Sequence, residues 1–143
     1  MIVYFAYGSN MSTSRLTGRL GSVDLLGRAL LRGYEHRFSK LGRDGTAKGN
    51  IEVISGGLVH GIAYRIEREQ LERLAELEGG YRLIELEIEC ADAPVAAQSF
   101  CALRSVAGLT PSPEYVEHYR VGALEHNLPV AYVQNILAGF IAD

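Results

Sequence analysis

Ile2, Val3, Tyr4, Phe5 and Ala6 run straight into Tyr7, Gly8, Ser9 and Asn10. Five consecutive apolar residues, mostly β-branched and aromatic and bounded by a turn signal, predict a buried strand that ends in a polar, glycine-bearing turn. Met11 to Leu20 carries a modest helical pattern, which places the backbone N–H groups of the turn at a helix N-terminus, a position that attracts carboxylates and developing oxyanions. Gly8 permits close backbone approach, and Ser9 and Asn10 can cap the helix or hydrogen-bond a ligand. The same tetrapeptide also reads as an ordinary strand-to-helix connection with a good N-cap.

A chain of 143 residues forms one domain, residues 1–143, with enough length for a real core. Its 48% hydrophobic and 22% charged residues, with a formal net charge of -3, describe a soluble globular protein with no broad attraction to nucleic acid or anionic lipid. The apolar start lacks a basic n-region, and no apolar stretch approaches the ~20 residues of a membrane span, so a cytoplasmic location is expected. Cys90 and Cys101 lie in strand-like segments without metal spacing and read as buried free thiols.

Along the chain, Asp24 to Arg32 and Tyr34 to Lys40 read as strands separated by Gly33. The segment Gly42, Arg43, Asp44, Gly45, Thr46, Ala47, Lys48, Gly49 follows; it lacks the P-loop order and the dinucleotide fingerprint, and reads either as an anion cradle or as a solvated hairpin tip. Asn50 to Ile54, Leu58 to Ile66, Tyr81 to Cys90 and Val95 to Leu103 have strand character, and Glu67 to Glu78 has helical character. Pro113 to Glu125 and Pro129 to Ile141 read as closing helices opened by prolines. Strands outnumber helices without strict alternation, which argues for an α+β fold with a small, mixed, barrel-like β-sheet and flanking helices.

At about 100° per residue, Leu71, Leu74, Ala75 and Glu78 share one face of the Glu67 to Glu78 helix, so a carboxylate stands on the apolar stripe. Glu69, Glu72 and Glu76 form the solvated face. Glu78 closes the helix before Gly79 and Gly80, where the dipole and desolvation both disfavour a negative charge. Either a tyrosine or arginine partner satisfies it, or the position holds a proton-transferring carboxyl. Glu85, Glu87 and Glu89 alternate with Ile84, Leu86 and Ile88 and belong to a wet strand face. His36, His60, His118 and His126 are scattered without ligand spacing, and Ser9 has no nucleophile-elbow context, so neither a zinc site nor a serine hydrolase is expected.

With these residues in view, the chain resembles the gamma-glutamylcyclotransferases. The resemblance rests on three blocks in the family's order: Tyr4 to Met11; Leu74, Glu76, Glu78 and Gly79; and Pro111 to Tyr115 followed by Gly122, Ala123, Glu125, Asn127, Leu128, Pro129 and Tyr132. It implies a small mixed barrel with Glu78 as the catalytic acid/base. Tyr7, Gly8, Ser9, Asn10, Tyr81 and Tyr115 would contact a small gamma-glutamyl molecule. Two departures stand out: the stretch between Gly79 and Tyr81 is shorter than usual, and Phe100 replaces a site tyrosine.

In the implied reaction the α-amine of a gamma-glutamyl amide attacks its own γ-carbonyl, giving 5-oxoproline and a free amine, with no metal, cofactor or enzyme nucleophile. Nucleic acid and membrane are not expected partners, and a homodimer is an admitted assembly. Two other classes use the same residues: a non-catalytic small-molecule binding module, and an amidohydrolase in which Glu78 activates water to release glutamate.

Overall fold

The computed structural model describes residues 1–140. Five strands, β1 (Ile2–Ala6), β2 (Asp24–Leu41), β3 (Ala47–Ile66), β4 (Tyr81–Cys90) and β5 (Ala93–Ala102), close into a barrel in the order β1-β3-β2-β4-β5. Every neighbour is antiparallel except β1 and β5, which meet in parallel at Tyr4 and Gln98. Helices α1 (Thr13–Leu20), α2 (Arg68–Leu77), α3 (Pro113–His126) and α4 (Val130–Ile136) flank it. The expected α+β class with a mixed barrel is the observed fold.

The all-apolar character of β1 follows from its two buried faces. Phe5 and Tyr7 join Ala29, Leu31, Ile51, Val59, Ala63 and Ile88, residues drawn from strands, in the barrel interior. Tyr4 and Ala6 point the other way, into a second core with Leu16 of α1, Leu71 and Leu74 of α2, and Val116 and Tyr119 of α3. A strand enclosed on both sides has no position for a polar alternate. Each fully buried side chain of this size contributes roughly 1.5–3 kcal/mol, so β1 is an anchor for the turn that follows it.

The four strands read from 24–40 and 50–66 are two. Gly33 (φ +84) lies in β2 at a register shift between Arg32 and Tyr34, and β3 likewise continues through Gly56 (φ +78). These glycines are bulge points that bend long strands around a small barrel. Between β2 and β3 residues 42–46 of the basic glycine-rich segment form the hairpin turn, and Ala47, Lys48 and Gly49 already belong to β3.

The helix after β1 begins with a 3-10 turn, Ser9–Met11, and the residue that caps α1 is Ser12, whose hydroxyl accepts from the Arg15 N–H; neither Ser9 nor Asn10 caps it. In α2, Glu67 is the N-cap of a reciprocal capping box with Gln70, and Glu78 is the C-cap. Leu71 and Leu74 are buried, but Ala75 is exposed. Cys90 and Cys101 are half-buried free thiols at opposite ends of the β4–β5 ladder, Cys90 opposite Ala93 and Cys101 opposite Arg82. The last helix spans Val130–Ile136 with Pro129 as its N-cap, and Ile141 lies outside the described residues.

Helix α3 fixes the height of the 3-10 turn. A Cβ on Gly122 would stand 2.7 Å from the carbonyl carbon of Met11, so only glycine lets α3 lie on the backbone after Asn10.

Candidate active site

The turn after β1, the C-terminal end of α2, the start of β4 and the first turn of α3 converge on one narrow pocket of about 30 Å³. Tyr7, Gly8, Ser9, Asn10, Glu78, Tyr81 and Tyr115 all border it. Residues separated by more than one hundred positions in sequence are therefore brought together. Tyr4, Gly49 and Phe100 complete the wall.

Glu78 is the charged group at its rim. Oε1 accepts from Nδ2 of Asn10 at 3.2 Å and from an Arg19 guanidinium nitrogen at 3.0 Å. That same nitrogen donates to Oδ1 of Asn10 at 3.1 Å, and Asn10 Nδ2 donates also to the Tyr4 hydroxyl at 3.1 Å. The Asn10 side-chain amide thus clamps the carboxylate, while the residue itself borders the pocket. The arginine partner anticipated for Glu78 is Arg19, in the last turn of α1. Among the described residues, no hydrogen bond engages Oε2.

Gly49 joins the two site tyrosines. Its N–H donates to the Tyr115 hydroxyl at 2.9 Å, and its carbonyl accepts from the Tyr81 hydroxyl at 2.6 Å. Tyr7 donates to the Phe100 carbonyl at 2.7 Å, tying the turn to β5. Behind Tyr115, the Tyr119 hydroxyl lies 2.6 Å from Nε2 of the half-buried His36. Gly8 has φ −124, so its glycine requirement is spatial: a Cβ would stand 3.0 Å from the Tyr119 hydroxyl. The Ser9 hydroxyl accepts from Nε of Arg15.

Burial, reinforced by the negative charge of Glu78, raises the phenols of Tyr4, Tyr7 and Tyr81 far above their ordinary range and shifts that of Tyr115 in the same direction. The pocket therefore presents neutral hydroxyls around one ion-paired carboxylate. The N–H groups of Ser9 and Asn10 open the 3-10 turn, where no intrahelical partner is available to them. The arrangement can bind a slender polar chain, donate hydrogen bonds to an oxygen and exchange a proton through Oε2.

Arg19, Gly49, Tyr119 and His36 were not singled out as site residues. Gly49 has a sequence signal, as the last residue of the glycine-rich segment; the others carry none, because their partners are distant in sequence.

A closed mixed barrel whose first strand ends in a polar turn, opposite a carboxylate at a helix end, defines an α+β barrel with a carboxylate-centred candidate site. The AIG2-like family profile matches residues 58–136. Human gamma-glutamylcyclotransferase is 28% identical over 145 residues, covering 95% of this chain and 77% of the human protein. A solved gamma-glutamyl cyclotransferase structure aligns with a TM-score of 0.88 at 26% identity, over 99% of this chain and 89% of its own. The crystal structure of YkqA from Bacillus subtilis aligns with a TM-score of 0.81 at 28% identity, over 94% of this chain and 52% of its own. The chain belongs to the AIG2-like gamma-glutamylcyclotransferase family.

Proposed function

We propose that this protein cyclises a gamma-glutamyl amide to 5-oxoproline with release of an amine, Glu78 acting as the general acid/base. The observation that carries this reading is the Glu78 carboxylate, fixed through Oε1 by Asn10 and Arg19 with Oε2 left for proton exchange at the rim of a neutral hydroxyl-lined pocket.

The gamma-glutamyl chain enters the inner pocket. Glu78 takes a proton from the α-ammonium, and the resulting amine attacks the γ-carbonyl carbon, forming the ring C–N bond. The tetrahedral oxyanion, or the substrate carboxylate, is met by N–H groups of the Gly8 to Asn10 turn. Collapse breaks the original amide C–N bond as Glu78 returns its proton to the departing nitrogen. The second proton lost by the ring nitrogen balances protonation of the free amine. Holding amine and carbonyl in contact replaces a bimolecular encounter, and a positioned carboxyl adds about 10²–10⁴-fold.

The test is a product assay on gamma-glutamyl dipeptides, gamma-glutamyl amides and glutathione. Release of 5-oxoproline supports the cyclase; release of glutamate supports the amidohydrolase; binding without product supports a binding module. Glu78→Gln keeps the shape and removes the proton, and is expected to lower kcat by at least about 10²-fold in a folded protein. Turnover within tenfold of the parent would remove Glu78 from the mechanism.

A further inference from the structure

Behind the inner pocket, a polar pair stands where an apolar one would fill the same space. Tyr119 of α3 is 1% exposed, and its hydroxyl lies 2.6 Å from Nε2 of His36 on β2. Aromatic rings surround the imidazole, with ring centroids of Phe38 at 4.7 Å, Tyr119 at 5.2 Å and Tyr7 at 6.2 Å. Desolvation takes His36 down to about 3 and raises the Tyr119 phenol, so near neutrality the bond joins two uncharged groups. Such partners can be exchanged together for apolar groups of the same shape at little cost in stability, whereas losing one leaves the other unsatisfied. Stability alone therefore gives no reason for this pair over leucine and phenylalanine.

Its position does. The Tyr119 hydroxyl fills the space in which a side chain on either of two pocket-wall glycines would stand: it would collide with a Cβ on Gly49 and lie 3.0 Å from one on Gly8. Gly8 belongs to the turn after β1 and Gly49 to β3, so one hydroxyl is wedged between two backbone segments of the wall. The Tyr115 hydroxyl bounds the same two spaces, at 3.4 Å from the Gly49 Cβ position and 3.7 Å from that of Gly8. Gly49 in turn holds the Tyr115 hydroxyl through its N–H and the Tyr81 hydroxyl through its carbonyl. Neither His36 nor Tyr119 borders the inner pocket.

Resting on the cyclisation reading above, we propose that His36 is a positioning residue: through the Tyr119 hydroxyl it fixes the separation of Gly8 and Gly49, and so sets the turn N–H groups and the Tyr115 hydroxyl against the γ-carbonyl. Donors that meet charge developing in the transition state are sensitive to small displacements, and such losses fall on kcat. Contacts that hold the glutamyl chain equally in the ground state persist, so KM is spared.

The experiment measures kcat, KM and the urea midpoint of H36L, Y119F and H36L/Y119F with gamma-glutamyl dipeptides, together with hydrogen exchange at the Gly49 amide by NMR. H36M serves wherever the leucine variant does not fold. Each single variant leaves one partner unsatisfied and should lower the midpoint, and the double variant should return close to the parent. All three should nevertheless lose about tenfold in kcat with KM within about twofold of the parent, the double losing no more than either single. The Gly49 amide of the double variant should exchange at least about tenfold faster than that of the parent. A kcat that recovers along with the midpoint, losses in kcat that multiply, or parental exchange at Gly49 overturns the inference. Should the wild-type protein yield no 5-oxoproline from any gamma-glutamyl compound, the cyclisation reading falls by itself. Exchange at Gly49 in the double variant then decides the positioning role: faster exchange supports it, and parental exchange overturns it.

Discussion

Gly49→Ala tests whether the two site tyrosines are set by the backbone they share. An added Cβ would stand 2.2 Å from the Tyr119 hydroxyl, 3.2 Å from Nε2 of His36 and 3.4 Å from the Tyr115 hydroxyl. Only the first distance is impossible. Relieving it moves the Tyr119 hydroxyl by roughly 1 Å, and Tyr119 is 1% exposed and packed against the rings of His36, Phe38 and Tyr115. Overpacking of this kind costs about 1–3 kcal/mol, and disturbing the part-buried bond to His36 adds about 1 kcal/mol, so Gly49→Ala should destabilise by about 2–4 kcal/mol. Tyr119→Phe leaves His36 without its partner and should cost about 1–2 kcal/mol. It also removes the clashing atom. The double variant should therefore be little less stable than Tyr119→Phe alone, giving a coupling energy of about 2–4 kcal/mol by urea denaturation. Additive losses would refute the argument that the Gly49 requirement is set by the Tyr119 hydroxyl.

Gly8→Val should weaken calorimetric binding of 5-oxoproline by at least about tenfold while the protein stays folded, because its branches extend from a Cβ already 3.0 Å from the Tyr119 hydroxyl. Unchanged affinity would put the ligand elsewhere. Tyr115→Phe removes the acceptor of the Gly49 N–H, so a loss of about 1 kcal/mol in stability is expected with a larger effect on kcat than on KM. Normal kinetics with lowered stability would make Tyr115 a packing residue. Burial lowers His36 from 6.5 to about 3 and lowers His60 and His118 in the same direction. The unfolded chain then binds more protons below pH 6.5, so stability should fall on acidification from pH 6.5 to 5, with His36 alone approaching ~1.4 kcal/mol per pH unit. A flat or rising denaturation midpoint over that window, read by urea titration, would contradict a neutral His36 in the fold.

Where a single segment dictates an element, the sequence was legible. The apolar run Ile2 to Ala6 could only be a strand with two buried faces, and the spacing of Leu71, Leu74 and Glu78 placed a carboxylate at the end of an amphipathic helix. Legibility failed where an element depends on closure of the barrel. Gly33 reads locally as a strand breaker, yet within a strand that must bend around a small barrel the same residue is a bulge and the ladder continues through it. The site divides along the same line. Tyr7 to Asn10 and Glu78 are visible because each ends a recognisable element. The partnership of Glu78 with Arg19 spans 59 positions and exists only once α1 and α2 pack on the same face of the barrel. Asn10 shows the consequence most directly. Read alone, its amide is a ligand donor; with Tyr4, Arg19 and Glu78 around it, both amide atoms are already committed. Its residue type fixed which bonds it could make, and the packing of α1 against α2 decided that they are made to the protein's own carboxylate.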